Sequence, residues 1–257
     1  MAIDYESVAS SFDDRYQYQP FKGVEARLRS FAKRAGIQRV LEVGYGTGHW
    51  LETIADLNIG LTGIDRSPAM LQKARERGSR AHLLCGTAEN LPLCKDYFDL
   101  IFCVNAFHHF SDPRKFVAAS RDLLREGGVL AVFGLDPHVE STKWYLYDFF
   151  ADVKAMDLSR YMAVRQVKQL MREMGFEDVE SEIADHIHAH FINEGVLTDP
   201  FLVRESTSQL LMISDAAYSE GKRALMSAVE AAKLQNLECH FEVNLNICVT
   251  WGTVQGG

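Results

Sequence analysis

The segment Val40-Leu41-Glu42-Val43-Gly44-Tyr45-Gly46-Thr47-Gly48 carries an apolar strand into a glycine-rich turn. Glycine is needed where a backbone must turn tightly and come close to a ligand. Asp65 lies 21 residues beyond Gly44, at the end of the next apolar run. A carboxylate there can accept hydrogen bonds from both hydroxyls of a ribose. Turn and acid together point to a nucleoside-containing ligand. A dinucleotide requires G-x-G-x-x-G, which sets its pyrophosphate on a helix N-terminus. Here the third glycine comes one residue early, and position 49 holds His49. Glu42 stands two residues before Gly44, where an acid is poor company for a pyrophosphate. It suits a ligand carrying an ammonium and a sulfonium, and S-adenosylmethionine is such a ligand. Two other readings stay open at this point: a nicotinamide-dependent oxidoreductase, and a nucleoside-binding module without catalysis.

These residues need a frame to hold them. A helix is expected from Phe21 to Ala35, with Val24, Leu28, Phe31, Ala32 and Ala35 on its apolar face. Strands follow at Arg39–Val43, Gly60–Ile64, Ala81–Cys85, Phe98–Val104 and Val129–Gly134. Helices between them are expected at Thr47–Leu57, from Ser67-Pro68 to Gly78, and from Asp112-Pro113 to Arg125. Ser or Asp followed by Pro is a helix start, because the side chain caps free N–H groups and proline loses no bond at the first position. Strands separated by helices imply a parallel sheet covered on both faces, and right-handed crossovers make it doubly wound. Further on, Thr142–Ala155 and Ala163–Met174 read as helices and Phe176–Phe191 as extended chain. Residues 193–237 read as helical, with Ser214 as a cap. Phe241, Val243, Leu245, Ile247, Val249 and Trp251 alternate with polar residues, the mark of a half-covered and antiparallel last strand.

Several further segments carry a resemblance. Leu61-Thr62-Gly63-Ile64-Asp65-Arg66-Ser67-Pro68-Ala69-Met70-Leu71 follows the glycine turn, then Gly86-Thr87-Ala88-Glu89-Asn90-Leu91-Pro92. Phe98-Asp99-Leu100-Ile101-Phe102-Cys103-Val104-Asn105-Ala106-Phe107-His108-His109-Phe110 and Leu124-Arg125-Glu126-Gly127-Gly128-Val129-Leu130 complete the set. From Tyr5 to Leu135 the chain resembles the class I S-adenosylmethionine methyltransferases, near the branch of ubiquinone and menaquinone biosynthesis C-methyltransferases. The resemblance implies a seven-stranded Rossmann-like doubly wound α/β sheet, with a helical cap inserted before the last strand. It also implies cofactor contacts from Glu42, Gly44, Tyr45, Gly46, Gly48, Asp65, Arg66, Met70, Thr87, Ala88, Glu89 and Asn105. Asp65 would bind the ribose, Met70, Ala88 and Glu89 the adenine, and Asn105 would lie beneath the methionine part. Tyr45 departs from the small residues usual at its position, and is expected to narrow the mouth near the methionine tail.

The acceptor of the methyl group is not written in these motifs. Transfer of a methyl from a sulfonium gains much from alignment, and needs a general base only when the acceptor must lose a proton. His108, His109, His138 and Glu140 fall at the open end of the sheet, and His109 is taken as the candidate catalytic residue. Asn105-Ala106-Phe107-His108 lacks the Pro-Pro-aromatic run of nucleic-acid amino-methyltransferases. A net charge of −8 likewise gives no broad phosphate-binding face. A small-molecule acceptor, and no nucleic acid, is therefore expected. Trp144-Tyr145-Leu146-Tyr147-Asp148-Phe149-Phe150 reads either as a core helix or as a wall of the acceptor pocket. His186, His188 and His190 alternate on one strand face, but no partner carboxylate or cysteine accompanies them, so no metal is expected.

The 257 residues are expected to form a single methyltransferase domain. Within it, residues 1–35 would be a lid and helix, 36–136 the cofactor core, and 137–257 the substrate-side cap and last strands. The lid would combine the aromatic start of the chain, Tyr5, Phe12, Tyr16 and Tyr18, with the helices of 193–237. Five cysteines in irregular spacing suggest no disulfide framework. No signal peptide or membrane span is read, which makes the cytoplasm the expected compartment.

Overall fold

The computed structural model describes Tyr16 and residues 19–255. Helix α1, Lys22–Ala32, leads into β1 Arg39–Val43, α2 His49–Glu52, β2 Gly60–Asp65, α3 Pro68–Glu76 and β3 His82–Cys85. Next come β4 Phe98–Val104, α4 Pro113–Leu123, β5 Leu124–Leu135 and the two-residue β6 Lys143–Trp144. Helices α5 Tyr145–Phe149, α6 Val153–Arg160 and α7 Val164–Glu173 precede the long β7 Glu177–Ile192. Three 3-10 turns within residues 193–206, α8 Ser208–Met212 and α9 Asp215–Leu234 separate it from the last strand, β8 His240–Thr253.

The helix starts form as the sequence dictates. Ser67 Oγ accepts the Met70 N–H at 3.2 Å, Asp112 the Lys115 N–H at 3.0 Å, and Ser214 the Ala217 N–H at 3.1 Å. Two elements differ from expectation. The helix expected over Thr47–Leu57 holds only from His49 to Glu52, then tightens into a 3-10 turn at Ala55–Leu57. Gly48, at φ 91°, delays the start. Thr53 Oγ then donates to the Trp50 carbonyl at 2.6 Å and competes for a helix acceptor. The helix expected over Thr142–Ala155 is likewise broken. Lys143 and Trp144 pair with β8 as strand, and Asp152 at φ 66° separates α5 from α6.

The strand order is β3-β2-β1-β4-β5-β8, parallel through β5, with β8 antiparallel to β5 and β7 antiparallel to β8. β7 takes one edge of β8 along its whole length, so β5 and β6 share the other edge. β6 thus continues the row of β5, and the sheet has seven rows. Alternate residues bury against helices on opposite faces. Leu41, Ile64, Ile101 and Leu130 belong to one core; Val40, Leu61, Leu100 and Phe102 belong to the other. β4 is buried at every position, as a central parallel strand must be. At the N-terminal ends of the strands, the carboxylate of Asp99 accepts the N–H groups of Gln38 and Arg39, both at 2.8 Å, and pairs with Arg125. The opposite ends of β1 and β4 open a crevice at the point where strand order reverses, where ligands bind in such sheets. Among the described residues no helix is long and apolar enough to cross a membrane.

Candidate active site

Two neighbouring cavities occupy that crevice. The larger encloses about 200 Å³ and is lined by the glycine turn at Val43–Thr47, by Ile64, Asp65, Arg66 and Met70, by 86–89, and by 104–106 with His109 and Phe110. The smaller, of about 110 Å³, lies toward residues 201–211 and the facing parts of β7 and β8. Tyr16, Asn105 and His109 line both and mark where they meet.

The backbone of the turn is shaped for close approach. Gly44 and Gly46 have φ of 79° and 55°, the left-handed region that favours glycine. A Cβ on Gly44 would come within 2.4 Å of Ala106 Cβ. Asp65 holds the turn from the side: Oδ2 accepts the Gly46 N–H at 2.7 Å, and Oδ1 accepts the Ser67 N–H at 2.8 Å. Burial raises its pKa above the usual aspartate range, and these two donors partly offset that. The carboxylate thus reaches the cavity already fixed by two backbone bonds.

Glu42 stands behind the lining and does not line the cavity. It is fully buried, and its Oε2 accepts the Leu51 N–H at 3.0 Å. Oε1 has no hydrogen-bond partner among the described residues. Burial, then the nearby Asp65 and Glu52, push its pKa well up, opposed by the Leu51 bond. It braces the turn against α2 and contributes an unsatisfied buried acceptor beneath it.

Tyr45 corrects an expectation. Its ring does not narrow the mouth of the cavity; it is 2% exposed and lies under the turn. Its hydroxyl bonds Ser79 Oγ at 2.7 Å and Glu52 Oε1 at 3.3 Å. The ring fills the space that side chains on Gly48 and Gly63 would take, since added Cβ atoms there would come within 2.4 and 2.5 Å of it. Gly48 therefore serves the packing of Tyr45, and it does not line the cavity. The unusual residue at 45 and the glycine at 63 explain one another.

Met70, Thr87, Ala88 and Glu89 line the far end of the larger cavity. The Glu89 carboxylate is engaged elsewhere: Oε1 accepts the Ser111 N–H at 2.6 Å and hydroxyl at 2.9 Å, and the Asp112 N–H at 3.3 Å. Burial would raise its pKa, but these bonds outweigh it and bring it below the usual range. Asn105 adopts φ 48° and donates its N–H to the Phe133 carbonyl at 2.9 Å, which turns the chain across the mouth of β4.

Of the four acid–base candidates, only His108 and His109 reach the cavities. His138 is turned away: its Nε2 bonds the Tyr161 carbonyl at 2.8 Å, and Glu140 is exposed. In the aromatic run, Trp144 lines the smaller cavity, while Leu146 and Phe150 pack in the core. Tyr145 and Tyr147 give their hydroxyls to Asp199 and Asp157 at 2.8 and 2.9 Å. The run is thus mostly core, with one residue on the pocket wall. Sequence reasoning did not single out Tyr161 or Gln209, both on the wall of the smaller cavity, nor His49 and Trp50 on the larger. Tyr161 follows α6 with no motif around it, so nothing local marks it. Of the expected lid, Tyr5, Phe12 and Tyr18 lie outside the described residues; Tyr16 stacks on His49 with ring centroids 3.6 Å apart.

The three alternating histidines sit on the exposed face of β7, opposite to Ile187, which lines the smaller cavity. His186 Nε2 meets Asn244 Oδ1 at 2.5 Å, and His190 Nε2 meets His240 Nδ1 at 3.1 Å. Among the described residues no group of three or more metal-ligating side chains converges.

Comparison with known proteins identifies the family. The methyltransferase-domain family matches residues 41–132. An uncharacterized methyltransferase of Geobacillus thermodenitrificans is 30% identical over 185 residues, 71% of this chain and 75% of the relative. A ubiquinone biosynthesis O-methyltransferase of Cereibacter sphaeroides is 25% identical over 69% of this chain and 71% of its own length. A Haemonchus contortus phosphoethanolamine N-methyltransferase, solved with S-adenosylhomocysteine, superposes with a TM-score of 0.56 at 19% identity, covering 99% of this chain and 61% of that one. The chain belongs to the class I S-adenosylmethionine-dependent methyltransferases. It is an enzyme of methyl transfer, and S-adenosylmethionine is its cofactor.

Proposed function

We propose that this enzyme methylates a small molecule with an aromatic ring, held in the smaller cavity against the cofactor in the larger. The observation that carries the reading is the meeting of two unlike chambers at Asn105 and His109. One is built from a glycine turn and a fixed carboxylate. The other is walled by Phe21, Trp144, Tyr161, Ile187, Phe201 and Leu245. Ligand sites are lined in this way, mostly by apolar and aromatic groups with a few polar ones.

The residues of the larger cavity suit the cofactor. Asp65 would accept the ribose hydroxyls, and Met70, Thr87, Ala88 and Glu89 would border the adenine. The backbone of Gly44–Gly46 and the side chain of Asn105 would flank the methionine part, with Arg66 at the outer rim. Glu42, Tyr45 and Gly48 support the turn from below. When bound, S-adenosylmethionine supplies an electrophilic methyl whose S–C bonding pair returns to sulfur on transfer. The chain's own part is to align the acceptor with that bond and to exclude water. His109, on both walls, borders the point of transfer.

Residues 36–136 would then form the cofactor core and 137–257 the acceptor side of one domain. The O-methyltransferase among the relatives supports oxygen as the receiving atom. The net charge of −8 favours a small acceptor over nucleic acid. All five cysteines are free thiols, which suits the reducing cytoplasm.

Thermal melting with S-adenosylhomocysteine or NAD, followed by transfer of isotopically labelled methyl to a panel of phenols, aromatic amines, thiols and nucleic acid, tests the reading. S-adenosylhomocysteine at about 100 times its dissociation constant should add about 2.7 kcal/mol of stability. Stabilisation by NAD alone, or labelling of thiols or nucleic acid but no ring compound, would overturn it.

A further inference from the structure

The polar end of the smaller cavity holds a connected chain of hydrogen bonds. Asp157 is fully buried at its far end, paired with Arg160 at 2.8 Å and accepting the Tyr147 hydroxyl. Gln209 Nε2 donates to both Asp157 oxygens, at 2.9 and 3.1 Å, and to the Tyr161 hydroxyl oxygen at 3.4 Å. A carboxylate only accepts, so the Gln209 amide nitrogen must face Asp157 and Tyr161. The Tyr161 oxygen therefore accepts a hydrogen bond from Gln209, and it lies 3.1 Å from His108 Nε2. With its proton on Nδ1, His108 accepts the Tyr161 hydroxyl hydrogen on Nε2. Its ring stacks on Tyr161 with centroids 4.0 Å apart. His108, Tyr161 and Gln209 all line the smaller cavity.

We propose that Tyr161 and His108 form a proton relay for a phenolic acceptor, with Tyr161 as the catalytic residue and His108 positioned behind it. This rests on the methyl-transfer reading above. The acceptor oxygen gains the methyl and loses its hydrogen. That proton passes to the Tyr161 oxygen as the Tyr161 proton passes to His108 Nε2. The sulfonium becomes a thioether and the imidazole an imidazolium, so charge balances, and the imidazolium releases its proton to water. The charged groups around the pair suit the transfer. The Arg160 guanidinium lies 5.6 Å from the Tyr161 ring centroid and favours a transient phenolate, while Asp157 faces Tyr161 through Gln209. The His109 ring lies tilted against His108 with centroids 3.9 Å apart, His138 holds the Tyr161 carbonyl, and Glu205 lies on the same cavity. The indole N–H of Trp144, also on this cavity, is buried without a partner among the described residues.

The test uses 4-nitrophenol, whose ionised form is yellow, added at constant mildly acidic pH to protein saturated with S-adenosylhomocysteine. On binding to the wild type, its phenolate-to-phenol ratio should rise about tenfold over that of the free probe, equivalent to one pKa unit. Tyr161→Phe keeps the stacked ring and should bind the probe within about threefold of wild type, but lose the ionisation. His108→Gln keeps an acceptor for the phenol but cannot hold the proton, and should lose it too. Ionisation retained in either folded variant, or no binding of 4-nitrophenol by the loaded wild type, overturns the relay while leaving methyl transfer standing. Failure to bind S-adenosylhomocysteine at all overturns both.

Discussion

Replacing Asp65 by alanine should damage cofactor binding and the stability of the unliganded protein together, by separable amounts. Its two oxygens hold the Gly46 and Ser67 N–H groups at 2.7 and 2.8 Å. Hydrogen bonds to a charged partner are worth about 1.5–3 kcal/mol each. The Gly46 donor lines an open cavity, so water can take over much of its share. The net loss of stability should be about 1–2 kcal/mol. Cofactor affinity should suffer more, because the same carboxylate is the proposed acceptor for two ribose hydroxyls. Losing it should cost roughly 2–4 kcal/mol, about thirty- to a thousand-fold in dissociation constant. Asparagine is no mild substitute here. Two backbone donors already claim both oxygens, so the amide nitrogen would be set against one of them, donor to donor. Asp65→Asn should therefore lose stability about as much as Asp65→Ala. Calorimetric titration with S-adenosylhomocysteine, beside melting curves of the unliganded proteins, separates the two effects. An affinity within about threefold of wild type in a folded Asp65→Ala protein would remove the ribose assignment. An unchanged melting curve would remove the brace.

Gly63→Ala should lower stability by about 2–3 kcal/mol, because its Cβ would come within 2.5 Å of the buried Tyr45 ring. For a chain of this size that is a fall of about 4–12 °C in Tm, and a melting curve within 1–2 °C of wild type would contradict the packing described. Glu42→Gln should change how stability depends on pH. Burial raises the pKa of Glu42 in the folded protein, so the native state holds that proton more tightly than the unfolded chain. The associated stability is complete below the ordinary glutamate range and is lost as pH rises through the raised value; Asp65 shares this sign. The Tm difference between Glu42→Gln and wild type, without cofactor, should widen as pH rises, and a constant difference would show that Glu42 does not titrate in this way.

Much of the frame was legible because it rests on local rules. Ser67-Pro68 and Asp112-Pro113 start helices wherever they stand, since the cap is made within one turn of chain. The strict alternation of Phe241 to Trp251 has one half-covered strand as its solution, and β8 buries those residues. The glycine turn and Asp65 were recognisable for the same reason, being close in sequence or fixed in spacing by one strand–helix–strand unit.

What chemistry a residue faces was decided elsewhere. Tyr45 and Glu42 lie within the most recognisable motif, yet one fills the space above Gly63 and the other braces α2. Backbone spacing brings a residue to the turn, but the direction of its side chain depends on which neighbours leave room. The acceptor side is the extreme case. Asn105 with His108, Tyr161 and Gln209 come from three places in the chain and meet only because α6, α8 and the turn after β4 pack at one end of the sheet. The sequence by itself determined the sheet, its turn and the class of cofactor, because periodicity, capping and strand–helix spacing act over a few residues. Only the tertiary structure decided which histidine has a phenol beside it, because that contact spans 53 residues of chain and depends on the packing of the elements between.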